Sequence, residues 1–195
     1  MLVGLTASLT LCSLTQAADY FLGGDTTATD EPQIADSGYI VDTLTNGVNS
    51  GALDSAIGWF NANFKGPHSV AFIVYNSDST ILDSTAYFTV TSSSRVRYSA
   101  SFIEGATLAA STQYFIGFHC ASEGGTDGNL KYYNNTSASA ISAWYKYPGV
   151  PVIEAPMTGP NKDTNNRPKA IGVYFSDDAT EPAKKFNVHL GNVKI

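Results

Sequence analysis

Charge is scarce in this sequence. Only 14% of its 195 residues are Asp, Glu, Lys or Arg, and eleven basic against seventeen acidic side chains give a formal net charge of −6. That balance speaks against a nucleic-acid partner, because such binding relies on clustered Lys and Arg neutralising phosphates. Apart from Lys184 and Lys185, the basic residues are scattered. Cysteine is nearly missing too. Cys12 and Cys120 lie too far apart in sequence to suggest a disulfide framework, and without a Cys-x-x-Cys or Cys/His grouping nothing points to zinc; both are read as unpaired thiols behaving as small hydrophobes. No apolar run approaches the roughly 20 residues of a membrane-spanning helix. Helical periodicity never outlasts a turn or two, and no internal repeat of 20 to 50 residues is visible.

What remains is a strand pattern, clearest from Ser69 to Tyr133. Ser69 to Tyr75 is apolar and β-rich, and Asn76 to Thr80 supplies the turn chemistry that ends it. Ala86 to Thr91 then puts Phe88 and Val90 on one face and Tyr87, Thr89 and Thr91 on the other. Val96, Tyr98, Ala100 and Phe102 alternate likewise, as do Tyr114, Ile116, Phe118 and Cys120. Further strands are expected over Gly38 to Leu44, from Ile57 to Phe64, over Ala170 to Phe175, and around Phe186, Val188 and Leu190. The core should hold Phe72, Val74, Phe88, Val90, Ile116, Phe118, Ile171 and Val173.

The succession FIVYNSDSTILDSTAYFTVTSS, a strand with outward basic residues, GATLAASTQYFIGFHC and NLKYYN resembles a jelly-roll module of phage structural proteins and some surface proteins. It spans roughly Ala56 to Phe175, with Ser111 standing where that pattern usually has Gly. The resemblance implies an all-β, antiparallel sandwich of jelly-roll type in a virion or surface setting. It implies no catalytic residues.

Ahead of this body, residues 1–36 read as an extended N-terminal arm and linker, with 37–195 the sandwich. The apolar Leu2 to Leu14 followed by Ala17 and Ala18 could instead be a signal peptide over residues 1–17, yet the positively charged start of such signals is missing. Tyr20 to Asp36, with Gly23-Gly24 and Pro32, reads as a connecting segment. Asn46-Gly47 signals a chain reversal. Asn134 to Ala143 reads as a polar loop containing a formal glycosylation sequon. Five prolines from Pro148 to Pro168 punctuate a long irregular stretch, of the kind that usually serves as an interaction segment.

For chemistry, His68, His119 and His189 sit outside any recognisable signature, and no Gly-x-Ser-x-Gly occurs. The expectation is a protein that binds and does not catalyse, with no cofactor. Glu123, Asp127 and Asn129 offer hard oxygen ligands on a Gly-rich turn, but their spacing is not an EF-hand and a plain hairpin loop explains them. The candidate contact surface is aromatic: Tyr132, Tyr133, Trp144, Tyr145 and Tyr147, beside Asn135. Flat rings next to amides suit sugar stacking or a protein interface, and equally suit a sandwich core. Two classes follow. One is a virion structural protein on a particle surface, a homo-oligomer touching other subunits and glycans; the other is a secreted or cell-surface carbohydrate-binding module.

Overall fold

The computed structural model describes residues 19–23, 33–34, 37–62, 67–121, 130–134, 141–147, 149–166 and 168–177. Among them there is no helix, and every strand pairing is antiparallel. The expected all-β sandwich is what forms. One sheet runs β1 (Asp19–Gly23), β14 (Ile171–Ser176), β4 (Gly51–Asn61), β11 (Leu130–Tyr132), β2 (Gln33–Ile34), with β8 (Val96–Ser101) and β9 (Thr107–Leu108) also on β4. The second runs β13 (Asn161–Asn166), β12 (Ile141–Lys146), β3 (Gly38–Thr45), β10 (Gln113–Ala121), β5 (His68–Asn76), β6 (Ile81–Ser84), with β7 (Phe88–Val90) also on β5. The chain changes sheet at β2 to β3, β3 to β4, β4 to β5, β7 to β8, β9 to β10, β10 to β11, β11 to β12 and β13 to β14.

Between the sheets lies an aromatic core. Phe60, Phe72, Phe118 and Tyr132 are buried there with Val70, Val74, Val90, Ile116, Ile171 and Val173, and the rings meet edge to face and tilted, Phe60 on Phe118 at 5.0 Å and Phe118 on Tyr132 at 5.4 Å. All eight expected core residues pack here, Phe88 half-buried at its margin.

Several boundaries differ from the sequence reading. β4 begins at Gly51, well before Ile57, because its first half pairs with β14 and β9 and needs no alternation of its own. Ile81–Ser84 is a strand, and so is the polar Asn161–Asn166, an edge strand on which side chains meet water and no apolar face is required. Ile141 to Ala143, read as loop, opens β12. Asp19–Gly23, inside the stretch read as arm and linker, pairs with β14 along its whole length, Tyr20 opposite Phe175 and Leu22 opposite Val173. The reversal at Asn46-Gly47 does not close a hairpin. It carries the chain from one sheet to the other, and the buried Asn46 amide donates to the carbonyls of Asn49 at 2.7 Å and Ala109 at 3.0 Å. Residues 1–18, Cys12 and the strand expected around Phe186 to Leu190 lie outside the described residues.

Ser111 has φ of 53°, and its N–H donates to the Gly47 carbonyl at 2.6 Å. The position expected to favour Gly thus adopts the left-handed conformation in which Gly is unstrained and a side chain costs roughly 1–2 kcal/mol. Ser111→Gly should raise the unfolding free energy by about 0.5–1 kcal/mol, the strain relieved less the extra chain entropy lost by Gly; chemical denaturation measures it, and a loss would show that the hydroxyl contributes more than the strain.

Candidate functional site

Strand alternation divides the expected aromatic surface. On β12, Tyr145 points inward with Tyr147 just beyond it; their rings lie 5.5 Å apart against the sandwich core. Trp144 points outward, its ring 5.7 Å from Phe115 and with Lys162 Nζ 5.2 Å from its centroid. Tyr132 is in the core, whereas Tyr133 is buried on the outer side of the first sheet with Trp59 and Ala170. The five rings thus occupy three places, and Trp144 presents the most plainly outward face. Asn135, Glu123, Asp127 and Asn129 lie outside the described residues. Among the described residues no three His, Cys, Asp or Glu side chains gather as a metal would need.

A strap covers the outer face of the second sheet. On β5, β10 and β3 the residues facing away from the core are Ile73, Tyr75, Phe115, Tyr39 and Val41, and all are buried. Residues 149–160, the proline-punctuated stretch, cross them and add Val150, Ile153 and Met157. The continuous apolar run of β5 has this physical cause: a strand covered on both faces has no polar side to alternate with.

Polar groups pin the strap. The Val150 N–H donates to the Ser37 carbonyl at 2.8 Å and the Met157 N–H to that of Ser79 at 3.0 Å, while the Tyr75 hydroxyl donates to the Glu154 carbonyl at 2.7 Å. Lys146 Nζ meets Glu154 Oε1 at 2.6 Å and the Thr158 carbonyl at 2.8 Å. Partial burial raises the Glu154 carboxyl, but Lys146 and the Thr158 N–H and hydroxyl outweigh it and hold the group below its ordinary value. Burial, then the Glu154 charge, pushes the Tyr39 hydroxyl far up, and burial with Tyr39 and Glu154 nearby does the same to Tyr75.

His119, wholly buried on β10, ties the strap to the sheet. Its Nε2 lies 2.8 Å from the Val150 carbonyl, an acceptor, so that nitrogen carries the proton; Nδ1 then accepts from the Tyr87 hydroxyl at 2.9 Å. Burial lowers the ring's proton affinity, against the Val150 carbonyl and Glu154 that favour the cation. A group whose folded affinity is depressed leaves stability intact above its unfolded pKa, about 6.5 for His, and forfeits it as pH falls toward the folded value. Thermal unfolding should therefore move to lower temperature as pH drops below about 6.5. Glu154, also depressed, adds its loss only in the carboxylate range. In His119→Gln the change that begins near neutrality should vanish, and an undiminished slope there would assign it to other groups.

Two further clusters escaped the sequence reading. On the outer face of the first sheet, Arg95 Cζ lies 4.5 Å from the Trp59 ring centroid and 4.9 Å from that of Tyr133. Arg97 stands opposite Trp59 in register, which puts the basic side chains of this strand outward as the resemblance implied. The second cluster is ionic. Asp42 on β3 faces the interior, opposite Ile116 and Ala143, and meets Lys169, the residue two before β14. Lys169 Nζ is 3.1 Å from Asp42 Oδ1, and the Lys169 N–H donates to Asp42 Oδ2. The two side chains are 0% and 3% exposed. Burial pushes the Asp42 carboxyl up, with the Lys169 charge and both hydrogen bonds pulling the other way. Sequence offered one signal for Asp42, an acid inside an otherwise apolar strand; its partner is 127 residues away.

No family model matches the chain, and no curated protein matches it. Solved structures give matches to infectious bursal disease virus. The structure of its Gt strain is 13% identical, covering 88% of this chain and 42% of that one at a TM-score of 0.35. The crystal structure of the viral particle is 11% identical, covering 88% and 40% at 0.36, and virus-derived T=1 particles are 12% identical, covering 87% and 40% at 0.35. The chain spans about two fifths of the length of the solved chains it matches.

Proposed function

We propose that the chain is a non-enzymatic structural protein of a virion, a phage capsid-decoration, tail or fibre component that assembles with other subunits, copies of itself included, on the particle surface. The setting comes from the resemblance of its strand and turn succession to phage structural modules. The observation that carries the assembly role is the margin at β1. Among the described residues β14 pairs with one side of this strand and none with the other, an arrangement that offers a row of backbone donors and acceptors to a neighbouring chain. Phe21 on the same strand is 42% exposed, its ring 5.1 Å from that of Tyr174 and laid against Gly172, where a side-chain carbon would collide with it. An aromatic pair beside an open strand edge suits subunit contact.

Phe21→Lys tests this directly. Sedimentation velocity should show oligomers for the wild type and monomers for the variant, with unfolding unchanged because the substituted ring lies at the rim. A wild type that stays monomeric over the accessible concentration range would reject the assembly role.

A second reading, a secreted or cell-surface carbohydrate-binding module, is favoured by the outward Trp144 with Lys162 over its ring. On that reading Trp144→Ala abolishes retention on a glycan panel that retains the wild type, at a temperature where the variant is still folded. A panel that retains neither protein rejects it.

A further inference from the structure

We propose that Lys169 and Asp42 join covalently, the Lys169 Nζ and the Asp42 Cγ forming an amide that ties the two sheets together. The geometry has the three parts that such a reaction requires. The nucleophile and the electrophile are in contact, with Nζ 3.1 Å from Oδ1. Both are removed from water, at 0% and 3% exposure, so a reaction that expels water is not opposed by solvent at the site. The other carboxyl oxygen, Oδ2, accepts the Lys169 N–H, a backbone donor placed to stabilise negative charge as it develops on that oxygen.

Burial also prepares the electrophile. A low-dielectric site penalises a carboxylate and favours the neutral acid, and for Asp42 burial is the largest influence, acting in that direction. Proton transfer from the ammonium to Oδ1 gives an amine and a carboxylic acid. The nitrogen lone pair adds to Cγ, the bond from Cγ to Oδ1 breaks, and that hydroxyl departs as water with one proton from nitrogen. An N–C bond replaces a C–O bond and nothing is oxidised or reduced. The product keeps one N–H. Asn134 opposes Lys169 in an isolated antiparallel bridge, and among the described residues its buried Oδ1 has no hydrogen-bond partner.

The consequence is mechanical. Asp42 belongs to the second sheet and Lys169 leads into β14 of the first, so the amide closes a loop of 127 residues and prevents the sheets from separating. A particle-surface protein gains resistance to shear and heat from such a tie.

Intact-mass measurement of the purified full chain decides it. The expected mass is one water below that of the sequence, and proteolysis should yield a branched peptide linking the segments around Asp42 and Lys169. Lys169→Met should restore the full mass, and chain isolated in denaturant should lose its water only on refolding. A wild type at full sequence mass, with the two segments recovered separately, overturns the proposal whether or not the variant folds. So does a missing water that maps to any other residue.

Discussion

Measured against the ion pair that precedes the amide, replacing Lys169 by Met is expected to cost the fold about 3–5 kcal/mol, the range for removing one member of a buried ion pair. The magnitude comes from what is left behind. Asp42 stays between the sheets among apolar side chains, and the Lys169 N–H, a backbone group, becomes its one remaining donor from this residue. The deficit should also depend on pH in a direction that identifies its source. Without the ammonium, burial holds the folded Asp42 carboxyl further above its unfolded value. A raised acid contributes fully below the unfolded pKa, about 3.9, and its contribution is lost as pH rises through the folded value. The gap between variant and wild type should therefore be wider at neutral pH than near pH 4. Chemical denaturation of both proteins at the two pH values measures it. Equal gaps would mean that lost packing of the lysine stem, and not a stranded carboxyl, sets the cost. The double variant Asp42→Leu, Lys169→Met should recover much of the part owed to the stranded carboxyl, since an apolar pair of similar volume leaves no charge to desolvate, and none of the part owed to an amide.

Phe118→Ala is expected to cost about 3–5 kcal/mol, the range for emptying a core aromatic site. Phe118 is fully buried in the middle of β10, its ring against those of Phe60 on β4 and Tyr132 on β11, and it stands opposite Phe72 of β5 in register. β10 is itself held on both sides, by β3 and β5, so its backbone cannot collapse into the cavity. By contrast Trp144→Ala, on a half-buried ring at the margin of the outer cluster beside Phe115, should cost clearly less. Urea unfolding of the two variants in parallel tests the contrast; a larger loss at Trp144 would place the principal core under the strap.

Both expectations depend on where each residue points, which the sequence carried for some strands and not for others. Along β10 the alternation of Tyr114, Ile116, Phe118 and Cys120 determined one inward face without help, because a pleated strand can send side chains only to opposite sides. The same rule put Phe72 and Val74 on one face, though an apolar run on both sides left open which face was inward, and the Asn76 to Thr80 turn chemistry ended β5 where the strand does end. At Ser111 it was the resemblance that pointed to Gly, and the left-handed backbone there gives the physical reason.

Only the tertiary structure decided the rest. Periodicity says that Phe115 and His119 share a face, but whether water or chain covers it depends on where residues 149–160 lie, and no local rule fixes the path of a stretch whose prolines mainly state what it is not. The rings of Tyr132, Tyr133, Trp144, Tyr145 and Tyr147 are neighbours in sequence, but only Tyr145 and Tyr147 have rings in contact with each other, because strand alternation and a change of sheet divide the five among three places. Asp42 and Lys169 show the reverse: 127 residues apart, they meet because β3 and the start of β14 pack across the same core. Composition and spacing fix what a strand can bury; only the packing of one sheet against the other fixes which charges must be buried together.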